Sequence, residues 1–158
     1  MTRTRVVSRS EDDTRAAGRE LAPRLSPGDV VLLSGDLGSG KTVFVRGLAE
    51  GLGADPDEVA SPTFALVHEY GPDGAPPRLV HADLYRLAGG ETASAPDLGL
   101  EEARAAGVVV AIEWPRAPFT DLPAWRVALA ERDSIREIEI VAPPPRRGPG
   151  NPGAGSPE

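Results

Sequence analysis

The feature that most constrains the fold of this chain is the segment Gly35–Thr42, which reads Gly-Asp-Leu-Gly-Ser-Gly-Lys-Thr and matches the pattern G-x-x-x-x-G-K-[ST]. The largely apolar run Val30–Ser34 precedes it and is typical of a strand buried on both faces. The residues from Thr42 onwards predict a helix that ends at Gly51 or Gly53. A strand, a glycine-rich loop and a helix in this order are typical of a phosphate-binding loop, or P-loop.

Each residue type in this loop has a chemical reason. Gly38 and Gly40 allow successive backbone N–H groups, including that of Ser39, to face phosphate oxygens, and the N-terminal end of the helix adds its positive dipole. Lys41 reaches the β- and γ-phosphates, and the Thr42 hydroxyl coordinates Mg²⁺. Lys41 is the only lysine among 17 basic residues, the others being arginine. A compact ammonium suits such a loop better than a broad, planar guanidinium.

The sequence also indicates which nucleotide the loop binds. Proteins of this class that select guanine normally use an N-K-x-D motif. The only lysine of this chain lies in the P-loop, and its only asparagine is Asn151. The guanine-reading motif is therefore absent, and we expect ATP, bound together with Mg²⁺, as the cofactor.

Two acidic residues follow predicted strands and are candidates to assist the Mg²⁺ ion and the attacking water. The strongly apolar run Val108–Ile112 leads into Glu113, and the half-polar run Arg78–Asp83 ends in Asp83. Ligands of open α/β sheets bind at the C-terminal ends of the strands, so both carboxylates are in a suitable place. The apolar run favours Glu113. Either residue could instead be a solvated or salt-bridged carboxylate.

The rest of the pattern predicts one α/β domain over residues 1–142, with a P-loop-type mixed sheet flanked by helices and antiparallel strands towards the C-terminus. The further elements that we expect are helices over 14–25 and 98–106 and strands over 64–70, 78–83, 124–130 and 135–141. Residues 143–158 consist mainly of Pro, Gly, Arg, Ser and Asn. This segment has too few apolar residues to order itself, so we expect a disordered tail.

Three further features each allow two interpretations. The segment Ser61–Phe64 could be a switch whose hydroxyl senses the γ-phosphate, but a simple turn into a strand is favoured. The guanidinium of Arg86 could point towards phosphates or pair with an acidic neighbour. Trp114 could be catalytic, but a place in the core or on a binding face is favoured, although its position next to Glu113 puts it near the nucleotide.

Composition excludes several other classes of function. The chain has no cysteine, which excludes disulfides, thiolate zinc sites and cysteine nucleophiles, and it has only two histidines. Its net charge of −7 argues against binding a nucleic-acid backbone on its own. No apolar run approaches the roughly 20 residues of a membrane helix, and the N-terminus does not resemble a signal peptide. We therefore expect a cytoplasmic protein that does not bind membranes.

Several short motifs occur in an order that is specific to one family. They are Gly-Asp-Leu-Gly-Ser-Gly-Lys-Thr at 35–42, Ser-Pro-Thr-Phe at 61–64, His-Ala-Asp-Leu-Tyr-Arg at 81–86, Leu-Gly-Leu-Glu-Glu at 98–102 and Ile-Glu-Trp-Pro at 112–115. Over residues 10–141 the chain resembles the TsaE (YjeE) family, the bacterial ATPase required for threonylcarbamoyladenosine in tRNA.

The resemblance implies an ATPase subunit needed to place a threonylcarbamoyl group on the adenosine 3′ of the anticodon. In that family a separate enzyme makes threonylcarbamoyl-adenylate, and the TsaB–TsaD pair transfers the group to tRNA. TsaE binds that pair and hydrolyses ATP to sustain turnover. We therefore expect an ATPase that is weak alone, is stimulated by these partners and meets tRNA only indirectly, in agreement with the acidic net charge.

The resemblance also implies roles for individual residues. Thr42 and Glu113 correspond to magnesium ligands, Asp83 lies close to the metal, and both carboxylates are expected to act in catalysis with Lys41. The implied ATP contacts are Gly38, Ser39, Gly40, Lys41, Thr42, Val43, Arg136 and, near the first helix, Glu11 and Thr14. The family commonly has a second threonine where this chain has Val43. We expect nucleotide binding to survive this difference, and turnover to differ if the second hydroxyl assists hydrolysis.

Two other functions are compatible with the P-loop. One is a small-molecule kinase, although such kinases usually carry an arginine-rich lid and the nearest candidate loop, Gly89–Pro96, contains no arginine. The other is a nucleotide-dependent interaction switch with negligible hydrolysis. A kinase would phosphorylate an acceptor, and a switch would bind ATP without turnover. The expected ATPase would become active with its partners.

We predict that deleting residues 143–158 leaves thermal stability and ATP binding nearly unchanged, because this segment has no apolar face with which to dock. Thermal denaturation and calorimetric titration of ATP–Mg²⁺, each compared with the full chain, test this. A fall of several degrees in melting temperature would show that the tail packs on the domain.

Overall fold

The computed structural model describes residues 2–36, 38–55, 67–71, 77–84, 99–115, 120 and 122–144. Its elements are β1 (Arg3–Ser8), α1 (Glu11–Leu21), a 3-10 turn (Ala22–Arg24), β2 (Val30–Ser34), α2 (Lys41–Gly51), β3 (Val67–Tyr70), β4 (Leu79–Asp83), α3 (Leu100–Ala105), β5 (Val109–Glu113), β6 (Trp125–Arg132) and β7 (Ile135–Val141).

The described strands form one mixed sheet in the order β1-β7-β6-β2-β5-β4-β3. β2 is parallel to both β5 and β6, and β4 is parallel to β5. The pairs β6–β7, β1–β7 and β3–β4 are antiparallel. The predicted fold class, a mixed α/β sheet with helices and with antiparallel strands towards the C-terminus, is confirmed.

The sheet is covered by separate apolar clusters on its two faces. One cluster packs β2, β5 and β6 against α1 and α2, and its fully buried members include Leu33, Phe44 and Leu48. The other joins the opposite face of the central strands to α3 through Leu100 and Ile112. A strand between two such clusters needs apolar side chains on both faces, which explains the continuous apolar runs of β2 and β5.

The two helices on the first face approach each other unusually closely. Gly18 of α1 lies against the backbone of Phe44, and Gly47 of α2 lies against the backbone of Arg15. A Cβ atom at either glycine would overlap these backbone atoms. The close contact between the two helices therefore depends on the absence of side chains at both positions. Glycine in a helix interior costs about 1 kcal/mol of helix propensity, which the contact must offset.

Ion pairs also join α1 and α2 at the solvent-exposed side of their interface. Glu50 accepts hydrogen bonds from the guanidinium groups of Arg15 and Arg19. These two arginines lower the pKa of the Glu50 carboxyl below its usual value, with Arg15 contributing most. The pair is partly exposed, so it orients the helices more than it stabilises them.

The boundaries of several predicted elements change. α1 begins at Glu11 instead of Thr14, because the Ser10 side chain accepts a hydrogen bond from the Asp13 N–H at 3.1 Å and caps the helix. It ends at Leu21, where the chain turns into the 3-10 segment. The strand β1 was not predicted. It is an edge strand with alternating exposure, and two of its polar residues are arginines on the open face.

The antiparallel hairpins follow the predicted pattern. β3 and β4 pair in register across His68 and His81, although the predicted strand start at 64–66 lies outside the described residues. β6 and β7 are joined by Asp133 and Ser134, both with positive φ (51° and 69°). Two such residues in succession fit the tight turn that matches the twist of a hairpin.

Other predictions fall on parts of the chain that the structure does not describe. They concern the possible switch at 61–64, Arg86, the loop 89–96, the first residue of the predicted helix 98–106 and the tail from residue 145 onwards. Within the described ranges, no helix is long and apolar enough to cross a membrane.

The close contact between α1 and α2 generates a prediction for Gly47→Ala. In an open helix position this change would stabilise the protein by about 1 kcal/mol. Here the new methyl group meets the Arg15 carbonyl, so we expect a loss of about 1–3 kcal/mol. Thermal denaturation measures it, with exposed Glu20→Ala on α1 as a control that should change stability by less than about 0.5 kcal/mol. An unchanged or higher melting temperature for Gly47→Ala would contradict the close packing.

Candidate functional site

The P-loop leaves β2 and wraps around the N-terminal end of α2. Gly38 and Gly40 have positive φ (81° and 106°), and α2 begins directly after Gly40. A Cβ atom at Gly40 would lie 3.4 Å from the side chain of Arg136. Glycine is therefore favoured at this position by the backbone conformation, and the Arg136 side chain lies in contact with it.

Lys41 is buried inside the loop, with only 4% of its surface exposed. Its Nζ donates hydrogen bonds to the carbonyl oxygens of Gly35 at 2.6 Å and Asp36 at 2.9 Å. The same atom lies 4.9 Å from the centre of the Trp114 ring, within range of a cation–π contact. The ammonium is thus held by its own loop and by one aromatic face at the mouth of the site.

Trp114 reaches this position through an unusual backbone conformation. It follows β5 directly and has a φ of +58°, which is rare for a bulky residue. Such a conformation costs on the order of 1–3 kcal/mol and is found mostly at functional sites. Its contact with Lys41 places the Trp114 ring beside the P-loop, as its position next to Glu113 predicted.

Glu113 ends β5 and is also buried, with 4% of its surface exposed. Its Oε2 atom accepts a hydrogen bond from the Thr42 hydroxyl at 3.4 Å, so the end of β5 faces the first turn of α2. Asp83 lies opposite Glu113 in the register of β4 and β5 and is half-buried. Both predicted carboxylates therefore reach the same edge of the sheet as Thr42.

A cavity of about 280 Å³ lies over this edge. It brings together most of the residues predicted from the sequence. They are Glu11, Gly38, Gly40, Lys41, Thr42, Val43, Asp83, Glu113 and Arg136. Within the described ranges, the buried Nε atom of Arg136 has no hydrogen-bond partner, so a donor at the edge of the cavity remains available.

The side chains of two residues predicted to contact ATP are not among those that line this cavity. Thr14 is fully buried in the first turn of α1, and its hydroxyl is 2.7 Å from that of Ser8. Its side chain packs at the start of the helix and is not among the residues that line this cavity, so its contact with ATP stays a prediction. The Ser39 side chain is buried on the other side of the loop and lines a neighbouring cavity with Gly35 and Leu129.

His81 is a site residue that the sequence analysis did not identify. Its Nε2 atom lies 2.7 Å from Oε2 of Glu113, and both side chains are buried. The signal was available, because residues two apart in a strand share a face, and Asp83 was already a candidate. The ring of His68 lies 6.3 Å from that of His81. Burial lowers the pKa of His68, the neighbouring His81 lowers it further, and Asp83 opposes both effects.

The groups around the cavity suit a magnesium–nucleotide complex. The hydroxyl of Thr42 and the carboxylates of Glu113 and Asp83 are oxygen donors, which Mg²⁺ prefers. Among the described residues, no group of three or more His, Cys, Asp or Glu side chains could hold a metal ion alone. Mg²⁺ at phosphate sites usually takes one or two carboxylates and completes its shell with phosphates and water, so this donor set fits.

Comparison with known proteins identifies the family. Residues 8–139 match the family model described as threonylcarbamoyl adenosine biosynthesis protein TsaE. The chain belongs to the TsaE family.

Several similar TsaE proteins are named tRNA threonylcarbamoyladenosine biosynthesis protein TsaE. The protein from Streptomyces coelicolor is 44% identical over 131 residues, which cover 80% of this chain and 86% of that protein. The protein from Treponema pallidum is 40% identical over 140 residues, covering 87% and 99% of the two chains. The crystal structure of Bacillus subtilis YdiB superimposes with a TM-score of 0.68 at 32% identity, covering 90% of this chain and 87% of that one.

Membership of the TsaE family agrees with the geometry of the loop. The matched residues include the P-loop, both carboxylates and Arg136, so the whole cavity lies within the family domain. As a TsaE-family member, the chain is a P-loop nucleotide-binding protein. Its relatives are named for threonylcarbamoyladenosine biosynthesis in tRNA.

Proposed function

We propose that this protein is the ATP-binding and ATP-hydrolysing subunit for threonylcarbamoylation of the adenosine 3′ of the anticodon in tRNA, acting in the cytoplasm with the TsaB–TsaD transferase. The observation that carries the proposal is the cavity at the C-terminal edge of a TsaE-family sheet. There the P-loop, the hydroxyl of Thr42 and the carboxylates of Asp83 and Glu113 converge. Tight loops and helix N-termini bind phosphates, and paired oxygen donors bind Mg²⁺.

Binding of ATP would exchange one set of partners of Lys41 for another. The ammonium now rests on the carbonyls of Gly35 and Asp36 and faces Trp114. A phosphate oxygen carries more negative charge than a carbonyl oxygen and would attract the ammonium more strongly. Arg136, whose side chain lies beside Gly40 and lines the cavity, would add a second cation.

The carboxylates would serve the metal and the attacking water. Mg²⁺, when bound, neutralises charge on the phosphates and orients them. In this chain Thr42 and Glu113 would hold it, and Asp83 would support it from the neighbouring strand. Because Glu113 is buried, its orientation is restricted by its surroundings, so little reorganisation would be needed at the moment of reaction.

The proposal assigns the contact with tRNA to the partners. A net charge of −7 repels a phosphate backbone, which proteins usually bind through basic surfaces. A subunit of this charge is better suited to drive a transferase than to hold its RNA. Hydrolysis that is weak alone and increases when TsaB–TsaD binds is a separate part of the proposal, and membership of the TsaE family supports it.

One observation favours a second candidate, a nucleotide-dependent switch with very slow hydrolysis. Val43 lines the cavity and places a methyl-bearing side chain where the family commonly has a hydroxyl. If that hydroxyl takes part in hydrolysis, this chain would bind ATP and change its partner contacts with little turnover. Phosphate release in the presence of TsaB–TsaD separates the two functions.

The position of Lys41 generates a prediction about charge and shape. Lys41→Ala should abolish most ATP binding, and Lys41→Arg should also bind weakly, because a planar guanidinium does not fit the space between the loop carbonyls and Trp114. Calorimetric titration of ATP–Mg²⁺ measures both. Arg132→Ala, which removes an exposed cation outside the cavity, is the control and should bind normally. Normal affinity in Lys41→Arg would refute the argument from shape, and normal affinity in Lys41→Ala would refute the role of the loop.

The carboxylates generate a prediction that separates binding from hydrolysis. Glu113→Gln keeps the volume of the side chain and removes its charge, so ATP should still bind through the loop and Lys41. Phosphate release at saturating ATP–Mg²⁺ with TsaB–TsaD should fall by at least about tenfold, or about 1.4 kcal/mol of transition-state stabilisation.

Two further variants complete this experiment. Asp83→Asn should reduce phosphate release to a similar degree if Asp83 supports the metal, and less if it only orients neighbouring groups. Exposed Glu20→Gln on α1 is the control and should hydrolyse ATP at the wild-type rate. Full turnover in Glu113→Gln would mean that the essential carboxylate belongs to β4 instead of β5.

A further inference from the structure

A buried imidazole holds the carboxylate at the centre of the site. His81 and Glu113 are 6% and 4% exposed, and Nε2 of His81 is 2.7 Å from Oε2 of Glu113. The same Oε2 atom accepts the hydrogen bond from Thr42 at 3.4 Å. One oxygen of Glu113 is thus fixed from two directions, by a strand on one side and by the first turn of α2 on the other.

The chemistry of this contact determines its direction. The oxygens of an ionised carboxylate only accept hydrogen bonds, so when Glu113 is ionised His81 is the donor, through Nε2–H. A buried carboxylate that loses such a donor retains the cost of its desolvation and tends to turn towards another partner. The imidazole therefore selects one orientation of the Glu113 side chain.

The sheet register makes this arrangement possible. His81 lies directly opposite Ala111 in the pairing of β4 with β5, and Glu113 is two residues further along β5 on the same face. The small side chain of Ala111 leaves room for the ring to cross diagonally to Glu113. The opposite neighbour on β3 is His68, whose ring lies 6.3 Å away and backs the His81 ring.

We propose that His81 is a positioning residue that holds the Glu113 carboxylate towards the Thr42 hydroxyl and so prepares this pair to receive Mg²⁺. The inference rests on the proposed function, because it concerns the metal that accompanies ATP. Groups that orient metal ligands by hydrogen bonds typically change metal affinity by about 10- to 100-fold when they are removed. His81 acts through Glu113, so its loss should affect the metal much more than the nucleotide.

Two substitutions at His81 test the proposal. His81→Leu removes the donor and fills the space with an apolar side chain. His81→Gln places an amide N–H close to the position of Nε2. The first readout is binding of ATP in EDTA, measured by calorimetry, which both variants should retain. The second is the Mg²⁺ concentration at which ATP raises the melting temperature by half of its maximum. We expect this midpoint to increase about tenfold in His81→Leu and to return most of the way to wild type in His81→Gln.

His68→Gln is the matched control, since it changes the neighbouring imidazole that does not contact Glu113. Its Mg²⁺ midpoint should equal that of the wild type. In a Glu113→Gln background, His81→Leu should add little, because the charge that it orients is already gone. Additive effects of the two substitutions would overturn the proposal, and so would a wild-type midpoint in His81→Leu.

The experiment also separates this proposal from the proposed function. If ATP–Mg²⁺ does not stabilise the wild-type protein at all, the proposed function is overturned, and the role of His81 with it. If the wild type responds and His81→Leu responds at the same Mg²⁺ concentration, only the role of His81 is overturned. If His81→Leu melts at a much lower temperature, His81→Gln decides. A Mg²⁺ midpoint in His81→Gln close to that of His68→Gln supports the proposal, whereas a midpoint raised about tenfold in His81→Gln, with ATP binding in EDTA retained, would overturn it, because the amide N–H should replace the imidazole donor.

Discussion

The parallel alignment of β2, β5 and β4 is the constraint on which the site depends. In this register Leu33, Glu113 and Asp83 form one row across three strands, and the P-loop begins just beyond that row. Each strand is buried along most of its length, so the apolar clusters on both faces fix the register. A slip of β5 by one residue would turn Glu113 to the opposite face, away from α2. The position of the Glu113 carboxylate is therefore set by apolar packing along the strands, away from the cavity itself.

Two buried charges meet at this edge, and each is held by local groups before any ligand arrives. Lys41 uses two carbonyls and the Trp114 ring, while Glu113 uses His81 and Thr42. A buried charge without such partners would strongly destabilise the fold. The positive φ of Trp114 adds a local cost, which the surrounding packing sustains. A ligand that binds Lys41 or Glu113 must therefore displace contacts that these side chains already make.

Much of this arrangement could be predicted from the sequence, and the exceptions have physical reasons. The P-loop and Glu113 were found because a motif and an apolar strand each identify them locally. The burial of Thr14 was not predicted, although it lies three residues before Ala17 and seven before Leu21, which is the spacing of the buried helix face. The role of His81 depends on a neighbouring strand, and β1 depends on pairing with β7. Such long-range pairings leave only weak local patterns in a single sequence.

The cavity also joins the two halves of the sheet across β2. Glu113 and Asp83 come from the strands on one side, whereas Arg136 comes from β7 on the other side and lies over Gly40. Gly35, at the base of the loop, packs against the backbone of Leu129 in β6. A ligand that contacts both Glu113 and Arg136 would therefore connect strands that lie on opposite sides of β2. Since binding stabilises whatever geometry it requires, an occupied loop would make the two halves of the sheet less free to move relative to each other. A partner that recognises both halves would then distinguish the occupied protein from the empty one without touching the nucleotide.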